Sequence, residues 1–318
     1  MSARAASSAL ILSLLIAPGF FRPAQAGPWL PARGEYYTEL RGGLFTTDTY
    51  RDDAGNSWSL GGKWEERSIL GTVEFGLLGR KQGRVSVVMS APLISASATV
   101  PTLGSVTSTG LEDLRIGFRY GILRGPTALA FESATQWSLG YDRASSLLAF
   151  PERGGGLDKQ MGSSLQFGTP IAKRGFLQIG TGLAMTFRDV DYVRSELGNK
   201  VLTVRSFVGQ TSADLGFWVT RSLLVGARYS GSTTLDSKAS WLVWGKPPID
   251  LQPFERTLYL AGPMVVWRVD ERLDLAAGSW FTVSAKNSFP CNQVYVALTL
   301  KKTSLNRLQG FLGGTKAP

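Results

Sequence analysis

Strict alternation of apolar with charged or small residues is the feature that most constrains how this chain folds. It is clearest over residues 113–122, where Leu114, Ile116, Phe118, Tyr120 and Ile122 alternate with Asp113, Arg115, Gly117, Arg119 and Gly121. Successive side chains of a β-strand point to opposite faces of the sheet. One face of this strand is therefore predicted to meet an apolar medium and the other to meet water, as in a lipid-facing barrel strand.

The same alternation recurs along the chain and predicts twelve strands in all. The first is placed at 36–45 and the tenth at 257–267, although Pro263 in the latter cannot donate a hydrogen bond within a paired strand. After Ala26 no apolar run approaches the roughly 18 residues of a transmembrane helix. The strands themselves are thus the only candidates for crossing a membrane.

The connections between the predicted strands fall into two alternating classes. The short set is 78–83, 123–126, 170–175, 220–222 and 269–272; the long set is 47–67, 95–111, 140–158, 189–200 and 231–255, followed by a shorter 286–291. A soluble β-sandwich or propeller also alternates, but does not usually separate short and long connections onto opposite ends. The fold class predicted is all-β: a transmembrane antiparallel up-and-down β-barrel of about twelve strands, with short periplasmic turns and long external loops.

The first residues have the form of a secretory signal peptide. Arg4 precedes the apolar run Ala9–Ile16, and Ala24-Gln25-Ala26 fits the small-x-small pattern that signal peptidase accepts. A transmembrane anchor is the alternative, but the run is far below the roughly 20 residues needed to span a bilayer. We predict a signal peptide at 1–26, a barrel at 27–301 and a C-terminal tail at 302–318. Residues 27–34 are too few for an N-terminal plug of the kind carried by long-chain fatty-acid transporters.

The composition excludes most familiar active-site chemistry. The chain has no His and one Cys, so no Ser-His triad, disulfide or Cys-based metal cluster can form. No enzyme activity, cofactor or metal is predicted. The net charge of +10 is compatible with nucleic acid, but for an outer-membrane barrel anionic lipopolysaccharide and outer-membrane lipid are the simpler partners.

Charged residues of both signs fall on the face predicted to line the lumen. They are Glu39, Arg41, Glu74, Arg84, Asp113, Arg115, Arg119, Glu132, Asp214, Arg228 and Asp274. They either line a hydrophilic passage that sets ion preference, or form cross-strand ion pairs that fill a narrow barrel; the sequence leaves both open. Arg115 and Arg119 form a candidate anion contact. Trp241 and Trp244 in the last long loop are candidates for a constriction, with interfacial anchoring as the alternative.

Several short motifs resemble those of a known barrel family. Gly110-Leu111-Glu112-Asp113, Glu74-Phe75-Gly76-Leu77 and Ala91-Pro92-Leu93 resemble blocks of the outer-membrane proteins of the phenol meta-pathway-degradation type. The chain departs from the family at Glu112, which stands where the family has a Gly. The resemblance implies an outer-membrane barrel linked with the uptake of small, often aromatic, compounds.

These observations predict a barrel of the bacterial outer membrane that acts as a passive transporter or channel for small solutes, aromatic or hydrophobic ones among them. A closed barrel with a structural or partner-binding role is the first alternative. A soluble periplasmic binding module is the second. The oligomeric state is left open.

Overall fold

The structure, a computed structural model, describes residues 27–80, 83–100, 104–111, 113–137, 159–194, 198–240, 256–290 and 292–302. All of the regular secondary structure within these ranges is β-strand. In the part of the chain that is described, no helix is long and apolar enough to cross a membrane. The predicted signal peptide, Trp241, Trp244 and the tail beyond residue 302 lie outside the described residues.

Within the described ranges the strands follow one another with no helix between them. Their bounds are β1 Tyr36–Arg51, β2 Ser57–Leu78, β3 Val85–Val100, β4 Gly104–Leu111, β5 Leu114–Leu123, β6 Ala128–Trp137, β7 Lys159–Ile171, β8 Gly175–Arg194, β9 Gly198–Trp218, β10 Leu223–Ser240, β11 Thr257–Arg268, β12 Leu273–Lys286 and β13 Asn292–Lys302.

Antiparallel pairing joins each strand to its neighbour in sequence and closes the sheet on itself. β1 pairs with β2 on one edge and with β13 on the other, from Tyr36↔Lys302 to Thr46↔Asn292. β4 and β5 both pair with the same edge of β3, over residues 93–100 and 85–90 respectively. They therefore act as one interrupted strand, and the thirteen segments make a closed barrel of twelve strands, which confirms the predicted fold class.

Pro263 does not interrupt strand β11. It pairs with Ala227 of β10, whereas the β11–β12 pairing passes from Ala261↔Phe281 to Met264↔Gly278 with no pair at Gly262 or Pro263. Two positions on one edge of β11, Gly262 and Pro263, thus lack a paired residue on β12, and the flanking pairs hold the strand in register.

The two ends of the barrel differ as predicted, but the longer connections are largely paired strand rather than loop. At one end, here called the short-turn end, strands are joined by tight connections such as 124–127 and 269–272. At the other, the long-hairpin end, the predicted loops at 47–67, 95–111 and 189–200 are mostly occupied by strand residues. Apolar alternation fails to identify these extensions because they hold mainly polar and small residues. At about 3.3 Å per residue, the longest strands exceed the roughly 30 Å hydrocarbon layer, so these hairpins project beyond it.

The tip of the first hairpin shows how such an extension turns. Gly55 adopts a positive φ of 83°, and Asp52 accepts hydrogen bonds from the Asn56 backbone and from Trp58 Nε1, each at 2.8 Å. The Trp58 bond in particular lowers the pKa of the exposed Asp52 carboxyl below its usual value. A tight turn closed by one carboxylate thus replaces the long loop expected here.

The alternation of side chains across the barrel wall follows the predicted parity. Phe118 and Tyr120 are exposed on the outer face, and Arg119 between them is buried inside. The same holds on β2, where Ile69, Val73, Phe75 and Leu77 are exposed outside and Leu70, Thr72 and Glu74 are buried inside. The outer wall therefore carries a continuous apolar band, as a lipid-facing surface requires.

Replacing Phe118, 59 % exposed in this band, with Arg should destabilise the folded barrel in lipid by up to about 2–4 kcal/mol. The matched control is Thr107→Arg, on the exposed hydroxyl-rich strand β4, which should change stability little. Urea unfolding in lipid vesicles measures both. Equal effects at the two positions would show that the band at Phe118 is not embedded in hydrocarbon.

Candidate functional site in the barrel lumen

Arg119 is the centre of a buried ion-pair network on one wall of the lumen. Its Nη1 donates to both carboxylate oxygens of Glu74, at 2.8 and 2.7 Å, and its Nε lies 3.4 Å from Glu132 Oε2. Ser86 Oγ donates to Glu74 at 2.6 Å. The Arg119 and Glu74 side chains are 0 % and 2 % exposed, so this pair is shielded from water.

Glu132 is shared between two guanidinium groups and an amide. Arg115 Nη2 donates to Glu132 Oε1, and Gln166 Nε2 donates to Glu132 Oε2 at 3.1 Å. Gln166 Oε1 accepts from Arg119 Nη2 at 2.7 Å. We call Glu74, Arg115, Arg119, Glu132 and Gln166 the Arg119 cluster. Both arginines bind carboxylates from other strands, and a role for them in anion contact stays a prediction.

Asp113 lies beside the Arg119 cluster. Its Oδ2 accepts a hydrogen bond from Gln136 Nε2 at 2.6 Å. The β5–β6 register places Gln136 opposite Arg115 and within reach of Asp113.

Residues 27–35, here called the N-terminal segment, enter the barrel at the short-turn end. Pro28 and Pro31 are fully buried, and Leu30 and Ala32 are nearly so. The Gly27 carbonyl accepts a hydrogen bond from Arg119 Nη2. The segment therefore reaches from the first strand to the Arg119 cluster.

Further contacts fix the N-terminal segment to the wall. Trp29 Nε1 donates to the carbonyls of Gly125 and Pro126, at 3.2 and 3.0 Å, and its ring meets Phe176 edge-on at 6.5 Å. Backbone bonds join Arg33 to Gly79, at 2.8 Å. A segment too short for a plug domain thus still occupies part of the lumen, since nine residues can extend roughly 30 Å.

Glycines of the wall make room for the segment. A Cβ built at Gly76 would lie closer than 3.0 Å to the carbonyl oxygens of Ala32 and Pro31, and one at Gly83 equally close to that of Pro31. At Gly168 it would lie 2.6 Å from Pro28 Cγ. Apart from these glycines and the apolar composition of residues 28–32, the sequence carries no signal for this packing.

The opposite wall carries a second set of charges. Arg228 binds Asp214 through two bonds, Nε–Oδ1 at 3.2 Å and Nη2–Oδ2 at 3.3 Å, and donates to the Tyr295 hydroxyl at 3.3 Å. Arg41 pairs with Glu39 at 2.7 Å and lies over the Tyr295 ring at 5.0 Å. Tyr295, which sequence analysis did not select, links the two pairs.

Exposure to water varies among the lumen charges: the Arg41 and Glu39 side chains keep 5 % and 3 % of their surface exposed, and Arg115 keeps 24 %. The Arg228 and Asp214 side chains keep 14 % and 19 % of their surface exposed, and Arg268 and Asp274 nearer the short-turn end keep 16 % and 15 %. The N-terminal segment packs against the Arg119 wall and leaves the β9–β12 wall in contact with solvent.

Asp274 joins two cations that sequence analysis did not name. Lys301 Nζ contacts its Oδ2, and Arg268 Nε lies 3.5 Å from its Oδ1. Arg268 also lies 4.4 Å over the Trp218 ring. Arg268 and Lys301 each follow the inward parity of their strands, so strand position could have identified them.

Arg84 lies apart from the lumen charges. It is exposed at the short-turn end, donates to the Tyr120 hydroxyl at 3.3 Å and lies over that ring at 5.7 Å. Tyr120 is on the outer face, so the structure places Arg84 at the membrane-facing surface. It precedes β3, where strand parity no longer determines the direction of a side chain.

Apolar side chains line the lumen toward the long-hairpin end. Leu258, Leu260 and Ala285 are buried together with Phe45 and Trp280 against them. On the neighbouring wall, Trp64 packs on the buried Ile94 and Ala96 and stacks on Phe289 at 6.4 Å. A sequence pattern that assigns apolar positions to the lipid face does not identify apolar residues that point into the lumen.

The described residues contain no group of three or more His, Cys, Asp or Glu side chains that could hold a metal ion. The chemistry of the lumen is therefore that of ion pairs, aromatic rings and apolar side chains.

Comparison with known proteins shows a likeness of fold to solved outer-membrane structures. No family model and no curated protein sequence matches the chain. An outer membrane channel from Pseudomonas putida F1 is similar in structure, with a TM-score of 0.68 and 10 % identity over 90 % of this chain and 99 % of that chain. At this identity the likeness shows a shared barrel fold.

Two further structures are similar at lower scores. The translocator domain of the autotransporter NalP from Neisseria meningitidis has a TM-score of 0.49 and 13 % identity, over 93 % of this chain and 95 % of that chain. The porin NanC has a TM-score of 0.48 and 9 % identity, over 83 % of this chain and 98 % of that chain.

Proposed function

We propose that this protein is a passive channel of the bacterial outer membrane for small solutes. The observation that carries the proposal is the water contact that part of the lumen keeps: the Arg228 and Asp214 side chains on the β9–β12 wall are 14 % and 19 % exposed, whereas those of Arg119 and Glu74 are 0 % and 2 % exposed. A barrel filled throughout by ion pairs would bury all of these side chains alike. A solute would follow the solvent-exposed wall, past Arg228 and Asp274, down its concentration gradient.

The solute class proposed is small molecules with an aromatic or apolar body. Phe45, Trp280, Leu258 and Leu260 offer such a body an apolar surface toward the long-hairpin end. Lower in the lumen, Arg228 lies 5.8 Å over the Trp280 ring, so a cation and an aromatic face adjoin. The resemblance to the phenol meta-pathway family points to the same class of solute.

The proposed location rests on the outer wall and the N-terminal sequence. The apolar band formed by residues such as Phe75 and Phe118 suits a bilayer, and cleavage of a signal peptide at 1–26 would export the chain. The structural likeness to an outer membrane channel supports the same location. Outer-membrane lipid and lipopolysaccharide are the partners proposed for the outer surface.

A closed structural barrel remains the second candidate, because the N-terminal segment and the Arg119 cluster together obstruct one side of the lumen. In that case the ion pairs stiffen the wall and the long hairpins supply the binding surface. Solute flux separates the two candidates.

Release of benzenesulfonate from vesicles containing the refolded chain, residues 27–318, tests the proposed channel. Benzenesulfonate carries an aromatic body and a charge that keeps it from crossing lipid unaided. We expect release several times faster than from empty vesicles, and a several-fold change on Arg228→Gln, because that change removes the cation of the solvent-exposed wall. Arg84→Gln is the matched control and should leave the rate unchanged, since Arg84 lies on the outer surface. Release at the rate of empty vesicles from correctly folded barrels would contradict the proposal.

A further inference from the structure

The predicted cleavage position falls at the buried end of the N-terminal segment. Gly27 follows Ala26, the last residue of the predicted signal peptide, and its carbonyl accepts from Arg119 Nη2 inside the lumen. The nitrogen of a residue lies within about 4 Å of its own carbonyl oxygen by covalent geometry. An amino group formed at Gly27 would therefore lie beside the Arg119 cluster.

The surroundings of Gly27 suit a small cationic group. Gly27 has a positive φ of 72°, and a Cβ built there would approach Gln178 Oε1, the end of a flexible side chain, closer than 3.0 Å, so a hydrogen-bond acceptor lies against its Cα. The carboxylates of Glu74, Glu132 and Asp113 lie here with the guanidinium groups of Arg115 and Arg119. Buried carboxylates are stable only where opposite charge compensates them.

We propose that the new α-ammonium group of Gly27 is itself a lumen group, which donates to Gln178 Oε1 and adds positive charge beside the Arg119 cluster. Hydrolysis of the Ala26–Gly27 peptide bond consumes one water and leaves a carboxylate on Ala26 and an amine on Gly27. That amine takes up a proton, since free amino termini have a pKa of about 7.7–8.0. Processing of the precursor then locks the N-terminal segment in its place. The inference rests on cleavage after Ala26 and does not depend on transport.

The mass of the protein purified from outer membranes tests the first step. The expected mass is that of residues 27–318, and any other N-terminus overturns the proposal.

The reactivity of the amine tests the second step. An aldehyde specific for free amino termini should modify the folded chain at least ten times more slowly than the urea-unfolded chain. A rate equal to that of the unfolded chain overturns the proposal.

Protease cleavage within the N-terminal segment tests the third step, in which the ammonium group holds this segment in place. Trypsin cleavage between the exposed Arg33 and Gly34 requires local opening, because backbone bonds to Gly79 and Gly76 hold both residues. A refolded chain with Gly-Ser added before Gly27 should be cut there at least ten times faster, since the ammonium group is displaced. The matched control carries Gly-Ser after Pro318 and should be cut at the native rate. Equal cleavage of the two extended chains overturns the proposal.

Discussion

Gly76→Ala should release the N-terminal segment from the lumen while leaving the barrel intact. A Cβ at this position would lie closer than 3.0 Å to the Ala32 and Pro31 carbonyl oxygens. Backbone atoms cannot rotate away as a flexible side chain can, so the segment itself must move. Trypsin cleavage after Arg33 should rise about tenfold or more, because the cleavage rate follows the population of the open segment.

Gly71→Ala is the matched control for this experiment. Gly71 lies on the same strand, but a Cβ there would meet only Ala91 O, at an ordinary 3.9 Å. Both variants should keep the heat-modifiable migration of a folded barrel on gels. If Gly76→Ala is cut no faster than Gly71→Ala, the segment does not pack against β2 as described.

Arg119→Met should be among the most destabilising single substitutions in the lumen. It leaves Glu74, 2 % exposed, without the guanidinium that binds both of its carboxylate oxygens. Removing one partner of a buried ion pair typically costs about 3–5 kcal/mol. The free energy of unfolding in urea, measured in detergent micelles or vesicles, should fall by about this amount.

Two further variants make this prediction specific. Arg115→Met removes a cation with 24 % exposure from the same network, and Glu132 keeps Arg119, so the expected loss is about 1 kcal/mol. Adding Glu74→Gln to Arg119→Met should recover part of the loss, because it removes the uncompensated charge. Equal losses for the two arginine variants, or no recovery in the double variant, would show that the Arg119–Glu74 pair is not shielded from water.

The sequence predicts the barrel wall well because lipid imposes one rule on every strand. Wherever a strand such as 114–123 crosses the apolar layer, its outward residues must be apolar, and the period of two follows. Above that layer the hairpins hold mainly polar and small residues, so the rule no longer applies and the strand extensions at 47–67 and 95–111 were expected to be loops. Pro263 shows the converse: its missing donor counts against a strand locally, but pairs on either side of it keep the strand in the sheet.

The sequence predicts which side chains point into the lumen, but not which of them bind one another. Strand parity correctly orients Glu74, Arg119 and Glu132 inward, yet their partners depend on the register between strands far apart in sequence. Arg119 pairs with Glu74 across a sequence distance of 45 residues, which no local pattern encodes. The position of the N-terminal segment is even harder to predict from sequence, because it depends on the space that Gly76, Gly83 and Gly168 leave along the wall.

Single-channel conductance of the refolded chain, residues 27–318, in a planar bilayer tests the central claim most directly. We expect discrete conductance steps, which become larger in Gly76→Ala because the N-terminal segment no longer narrows the short-turn end. Inserted barrels with native heat-modifiable migration that stay silent in both forms would contradict a water-filled passage, and would favour the closed structural role.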